Sequence, residues 1–371
     1  MPTVIDSDGH ITEPRTIWQD YAEPAFRDRI LQVRRDRDGV DKLMVEGEMR
    51  SHPGRTFAAG CIPGGLSDPA RATSLSWDEL LPGGYDPLAR AKVLDAEGID
   101  VAFFYPTVWL LYGDLRDPAV AAAACRAYNN WIADFCKPYP GRFFGVAPMP
   151  LQDVGEAVKE LDRAVNKLSM RAVFVRPEPF GGRRLCDPAY YPFWQRAQDL
   201  DVPVAIHASF GTRMANLGRA RYDDPFFLHM TAHPFEQLAA SLDIICGGVL
   251  ARFPRLRVAF MESGVGWAGY WLDRMDEHFE SMRHYVPWLK KRPSEYFREQ
   301  CFISLDPAEH TLGTLRALEI ERCVVWGSDF PHFDCIYPGV LKAVERACAP
   351  LGAEVRRMII SENARRLYGL N

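Results

Sequence analysis

At 371 residues, with 47% apolar and 25% charged residues, the chain has the composition of a folded globular protein with a large core rather than of a disordered one. Its 44 basic and 49 acidic residues give a net charge of −5 with no basic cluster, which argues against nucleic acid as a main partner. No run of 18 apolar residues predicts a membrane partner, Met1-Pro2-Thr3-Val4-Ile5-Asp6 lacks the regions of a signal peptide, and nine scattered cysteines without a CxxC pair predict reduced thiols and a cytoplasmic setting.

Short β-rich runs recur along the chain with helix-like stretches between them. Thr3-Val4-Ile5 leads into Asp6-Ser7-Asp8, and the long stretch from residue 20 to about 90 then interrupts the alternation. Within it, Leu31-Gln32-Val33 and Lys42-Leu43-Met44-Val45 flank Asp36-Arg37-Asp38-Gly39, the pattern of a β-hairpin, and the remainder is a Gly- and Pro-rich excursion. Then come Val101–Tyr105 after a helix over 89–96, Phe143–Val146 after a helix over 118–137, and Ala172–Val175 after 154–168. Val202–Ile206 follows 191–200, Leu256–Phe260 follows 236–250, Phe302-Ile303-Ser304 follows an irregular polar stretch, and Cys323–Trp326 follows 311–318. Eight apolar strands alternating with helices predict an α/β fold, a (β/α)₈ TIM-like barrel forming one domain over 1–371 with an insertion after the first strand. No GxGxxG opens the first βα turn, which argues against a doubly wound dinucleotide fold.

A barrel enzyme takes its chemistry from the C-terminal ends of its strands. Here those ends carry Asp8 and His10 on the first strand, His207 on the fifth, Glu262 on the sixth and Asp329 on the eighth. Asp8 and His10 stand at i and i+2, so a strand points both to one face, with Gly9 leaving the backbone between them unobstructed. Two imidazoles and two carboxylates form a plausible site for Zn²⁺ or its harder relatives. Without a cation the same cluster would crowd buried carboxylates together. Taken singly, a strand-end histidine such as His207 is more often structural, and Asp329 suits a helix cap. Four such residues at one end of the barrel make the metal reading the stronger one.

These residues carry a resemblance. Ile5-Asp6-Ser7-Asp8-Gly9-His10, Pro203-Val204-Ala205-Ile206-His207, Gly247-Gly248-Val249 with Phe253-Pro254 and Leu256-Arg257-Val258, and Gly327-Ser328-Asp329-Phe330-Pro331 resemble the amidohydrolase-related group of the amidohydrolase superfamily. That group includes the aminocarboxymuconate-semialdehyde and dihydroxybenzoate (γ-resorcylate type) decarboxylases. The resemblance implies one divalent metal, Zn²⁺ before Mn²⁺, held by Asp8, His10, His207 and Asp329. It also implies a non-oxidative decarboxylase of a small aromatic or unsaturated cyclic acid, with a hydrolase using metal-activated water as the alternative. It further implies a homodimer or higher homo-oligomer, for which the amphipathic helix of 270–285, with Trp271, Met275 and Phe279, offers a face that can equally pack on its own barrel.

The family's usual histidine at the end of the sixth strand is replaced by Glu262, which puts the reaction type in doubt but offers a tunable proton carrier or a fifth metal ligand. The expected catalytic residues are therefore Asp329, Glu262 and His233. Pro234 marks a helix start, so a shared helical face for His229 and His233 is not expected. Arg50 and Arg55, flanking His52, lie where related enzymes grip a substrate carboxylate, although a solvated lid surface explains them equally well. His332, Trp109 and Phe210 complete the expected substrate contacts, with core packing the competing role for the aromatic pair.

Overall fold

The computed structural model describes residues 3–37, 39–50 and 55–370. Eight parallel strands form one sheet in the order β1 (Ile5–His10), β5 (Val101–Tyr105), β6 (Phe143–Pro148), β7 (Ala172–Val175), β8 (Val204–His207), β9 (Val258–Met261), β10 (Cys301–Leu305) and β11 (Val324–Trp326). All eight expected strands are present, displaced by a few residues at their ends. Aside from a few half-buried positions such as Val101 and Phe144, their residues are buried, as required of strands with side chains on one face filling the barrel and on the other packing under helices. Those helices include Pro87–Glu97, Pro118–Cys136, Val154–Asn166, Tyr191–Asp199 and Pro234–Ile245. Asp86, Asp117 and Asp153 cap three of them through their side chains, and Gly98 ends the first in a left-handed conformation.

The ring closes between β1 and the segment after β11. Asp329 N–H donates to Asp8 O at 2.8 Å, and His10 N–H donates to Phe330 O at 2.8 Å. This approach depends on Gly327, where a Cβ would stand 2.2 Å from the Cβ of Asp8. The β1–β5 register shifts between Asp6 and Gly9. A Cβ on Gly9 would meet the Asp6 carboxylate at 2.9 Å, so the glycine expected to clear the backbone also makes room for a neighbouring acid.

The insertion builds a separate antiparallel sheet from β2 (Gln32–Arg35), β3 (Asp41–Val45) and β4 (Glu48–Arg50). The expected hairpin is its β2–β3 pair, and β4 adds a third strand. Asp38 of the turn and His52 lie outside the described residues. Asp41, whose side chain is fully buried, pins the sheet to the barrel side by pairing with Arg15 at 2.5 Å and accepting from Trp77 N–H at 2.6 Å.

Two features differ from a simple reading of hydropathy. The stretch Pro225–Arg252 is 28 residues long and reaches a mean hydropathy of 1.2, as a membrane span does, but half of that window is buried in the protein. It comprises three helices, Pro225–Ala232, Pro234–Ile245 and Val249–Arg252. On helix Gly266–Met282, whose apolar face could pair with a second copy or pack on its own chain, Met275 and Phe279 are buried in the core, and Trp271 is half-buried with its indole N–H on Leu238 O and Ser241 Oγ.

Gly327→Ala should therefore strike the closure itself. Overpacking two backbone segments that cannot separate is expected to cost about 2–3 kcal/mol, read as a lower urea midpoint than the parent's.

Candidate active site

Five donor atoms converge at the C-terminal mouth of the barrel. His10 Nε2 lies 3.5 Å from Asp8 Oδ1 and 3.4 Å from Asp329 Oδ1. His207 Nε2 lies 3.3 Å from Asp8 Oδ1 and 3.2 Å from Glu262 Oε2. All five atoms are buried, and among the described residues none makes a hydrogen bond of good geometry. Partnerless buried polar atoms are costly, so a cluster of five facing one another is the signature of a site built for a cation. The expected set Asp8, His10, His207 and Asp329 is thus brought together, and Glu262 joins it.

The imidazoles are aimed by the backbone. His10 Nδ1 lies 2.8 Å from Pro106 O, and His207 Nδ1 lies 2.8 Å from Ala208 O. A carbonyl only accepts, so each Nδ1 carries a proton and each Nε2 is turned toward the cluster. Burial, and then the neighbouring His332, pushes His10 down to about 3, so it stands neutral and ready to ligate. Burial alone would raise Asp8, but the facing His207 and His10 hold its carboxyl below the usual range.

Glu262 and Asp329 differ from Asp8. Burial, reinforced by nearby carboxylates (Asp329 and Asp8 for Glu262, Asp334 and Asp8 for Asp329), pushes both well above their ordinary values. Both also hold a left-handed backbone, with φ of 52° each. Non-glycine residues adopt that conformation at a cost and gather at functional sites, where surrounding contacts enforce it. Here the enforcing contacts are Glu262 N–H to Ser304 Oγ at 2.7 Å and Asp329 N–H to Asp8 O.

Around this cluster lies a pocket lined by Arg55, Phe57, Thr107, Phe210, His229, His233 and His332 among others. His332 Nδ1 approaches Asp329 Oδ1 at 2.6 Å, and its Nε2 lies 3.1 Å from Thr107 Oγ1. Arg55 lies over the Phe210 ring at 4.8 Å, and its Nε is buried without a partner. Burial depresses this guanidinium to about 10, and among the described residues no carboxylate pairs with it to offset that cost. A desolvated cation on a pocket wall suits an anionic ligand. His233, at the junction of two helices, reaches the pocket with His229, their rings 5.1 Å apart, so the two meet despite the helix break at Pro234.

Two residues expected at the substrate are placed elsewhere. Trp109 is buried in the core, its indole N–H donating to Ala124 O of the following helix at 2.9 Å. Arg50 is buried in an ion pair with Asp114 at 2.8 Å and borders a different cleft with Arg116, Arg183 and Arg213. Both lie close to the site in sequence, but packing and pairing direct their side chains away from it.

Three buried residues that the sequence does not single out hold the site. The Asp6 carboxylate accepts from Ser328 N–H at 2.9 Å, Ser328 Oγ–H at 2.6 Å and Asp8 N–H at 3.2 Å, tying β1 to the turn that carries Asp329. Arg90 donates to Gly83 O, His10 O and Phe330 O while its guanidinium lies between the rings of Phe104 and Phe330. Glu13 accepts three backbone N–H groups, from Thr107, Val108 and Trp109, and so fixes the loop bearing the partner of His332. Asp6 was open to detection, since it shares the i, i+2 alternation with Asp8 and His10.

The family model described as Amidohydrolase matches residues 5–370. The chain belongs to the amidohydrolase family. Among curated relatives, it is 26% identical over 248 residues to a 2-amino-3-carboxymuconate-6-semialdehyde decarboxylase of Dictyostelium discoideum, covering 67% of each chain. It is 28% identical over 300 residues to a gamma-resorcylate decarboxylase of a Rhizobium species, covering 76% of this chain and 86% of that one. Among solved structures, an amidohydrolase from Mycobacterium avium subsp. paratuberculosis superposes with a TM-score of 0.82 at 23% identity over 99% of both chains. A dihydroxybenzoic acid decarboxylase from a Polaromonas species, with bound manganese and an inhibitor, superposes with a TM-score of 0.69 at 20% identity over 100% of this chain and 98% of that one. Both superpositions agree with the barrel.

Glu13 supplies a test of the buried scaffold. Burial raises its carboxyl from 4.5 to about 7 against the pull of its three amide donors. Because folding raises this pKa, the folded chain binds the extra proton, and Glu13's contribution is fully present below pH 4.5 and fades as pH rises through 7. The stability difference between the parent and Glu13→Gln should therefore move against the parent by about 3 kcal/mol across that window, measured by urea unfolding at successive pH values.

Proposed function

We propose that this amidohydrolase is a metal-dependent, non-oxidative decarboxylase of a small aromatic or unsaturated acid. The observation that carries the reading is the set of five buried, partnerless donor atoms at the barrel mouth. Asp8, His10, His207 and Asp329 would hold the ion. Two imidazoles and two carboxylates suit Zn²⁺ or Mn²⁺, and manganese occupies the Polaromonas decarboxylase. The decarboxylase relatives support the reaction class. When bound, the metal supplies Lewis-acid stabilisation of negative charge on substrate oxygens.

The chain's own residues supply the rest. Arg55 binds the anionic substrate on the wall of the pocket, and the Phe210 face beside it packs on a ring. His332, held between Asp329 and Thr107, fixes the Asp329 carboxylate. Glu262 takes the part of proton carrier. Burial and the neighbouring carboxylates of Asp329 and Asp8 raise its pKa, which favours the protonated form that delivers a proton to the substrate carbon as the C–C bond to the departing CO₂ breaks. His233, with its Nδ1 3.5 Å from Glu262 Oε2, orients that carboxyl and returns a proton to it.

After exhaustive dialysis the parent should keep about one equivalent of a divalent transition metal, and Asp329→Ala should keep none; elemental analysis of the two proteins decides it. Glu262→Gln should retain the metal and lose about 100-fold or more in turnover, followed as CO₂ release from hydroxylated aromatic acids. Near-parental turnover in that variant would remove Glu262 from the mechanism, and products of hydrolysis without CO₂ would favour the hydrolase chemistry.

A further inference from the structure

Glu262 belongs to two clusters at once. One donor atom from each of His229, His233 and Glu262 lies within 4.8 Å of the others, beside the group formed by Asp8, His10 and His207. His233 is buried, and both of its ring nitrogens lack a hydrogen-bond partner. A histidine with two unsatisfied nitrogens in a polar pocket is rare, because water or a neighbouring group normally takes at least one. Its nearest acidic neighbour, Glu262 Oε2 at 3.5 Å, has no hydrogen bond either. On the outer side, His229 Nε2 stands 3.3 Å from Asp334 Oδ2, and both side chains are partly exposed. The wall that joins them also carries Asp306 and Asp329.

From this geometry we infer a second divalent-cation site, formed by His229, His233 and Glu262 with Asp334 at its outer edge, sharing the Glu262 carboxylate with the first. The inference rests on the metal reading of the first site. Two imidazoles and carboxylate oxygens select a borderline transition ion over Ca²⁺ or Mg²⁺. The charge balance points the same way. Glu262, Asp306, Asp329 and Asp334 line one wall of the mouth, and among the described residues Arg55 is the one cation lining the pocket, so the surroundings favour a further positive ion. Because His229 and Asp334 reach solvent, the second ion exchanges more readily than the first and is lost on dialysis. An ion there holds Glu262 ionised, so filling this site and proton transfer by Glu262 exclude one another.

The test uses the full chain, stripped with a chelator and titrated with Mn²⁺, with bound metal counted by equilibrium dialysis and elemental analysis. Uptake in the parent should rise from about one to about two equivalents as free Mn²⁺ increases, while His229→Asn and the double variant His229→Asn/His233→Asn should stop at about one. Paramagnetic resonance gives a second readout, since two ions sharing one carboxylate couple and weaken the isolated Mn²⁺ signal as the second equivalent binds. A parent that saturates at one equivalent, or a second equivalent that persists in the double variant, overturns the second site and leaves the first intact. A parent that binds no Mn²⁺ at any concentration overturns the first site, and the second with it.

Discussion

The whole arrangement depends on how closely the two ends of the sheet approach each other. The barrel is sealed where Gly327 passes against Asp8, at a separation that no side chain would permit. The same few residues that seal it carry the donor cluster. Asp329 reaches the cluster because its N–H is bonded to Asp8 O, and His10 because its N–H is bonded to Phe330 O. Asp6 and Arg90 reinforce this seam from within, each bridging β1 and the turn after β11. Closure of the barrel and assembly of the site are thus one structural event.

A second consequence is that the cluster cannot relax. Both imidazoles are locked by their Nδ1–H groups onto main-chain carbonyls, and both high-pKa carboxylates sit on backbone held at positive φ. The two imidazoles can turn away from the crowded donors only by giving up those carbonyl bonds. The insertion contributes differently. It is tied down by Arg15–Asp41 and Arg50–Asp114 and lines one side of the pocket with Arg55, Phe57, Gly60 and Cys61.

Much of this is legible in the sequence because barrels obey simple periodicities. All eight strands follow from β-rich runs punctuated by helices, and Asp8, His10, His207 and Asp329 stand out because each ends a strand, where an apolar residue would otherwise be expected. The failures share a physical origin. Nearness to a strand end puts Trp109 at the substrate and the place of Arg50 in the insertion puts it there by resemblance, but the direction of a side chain is set by its partners, Ala124 O in one case and Asp114, 64 residues away, in the other. Glu13 and Arg90 go unnoticed because they bond to main-chain groups, which every residue has and which leave no mark in sequence. The helix break at Pro234 argues against a meeting of His229 and His233, yet His233 sits at that break and its ring still turns beside His229.

The locked imidazoles have a consequence for folding as well as for chemistry. A cluster of mutually unsatisfied donors is a pocket of local frustration inside an otherwise consistent core. Any cation that enters relieves it, and because the unfolded chain has no such cluster, that relief is credited wholly to the folded state. Resistance to heat and to proteolysis in this chain is then set partly by the metal supply around it, so the same atoms that make it a catalyst also make its lifetime a measure of whether it is loaded.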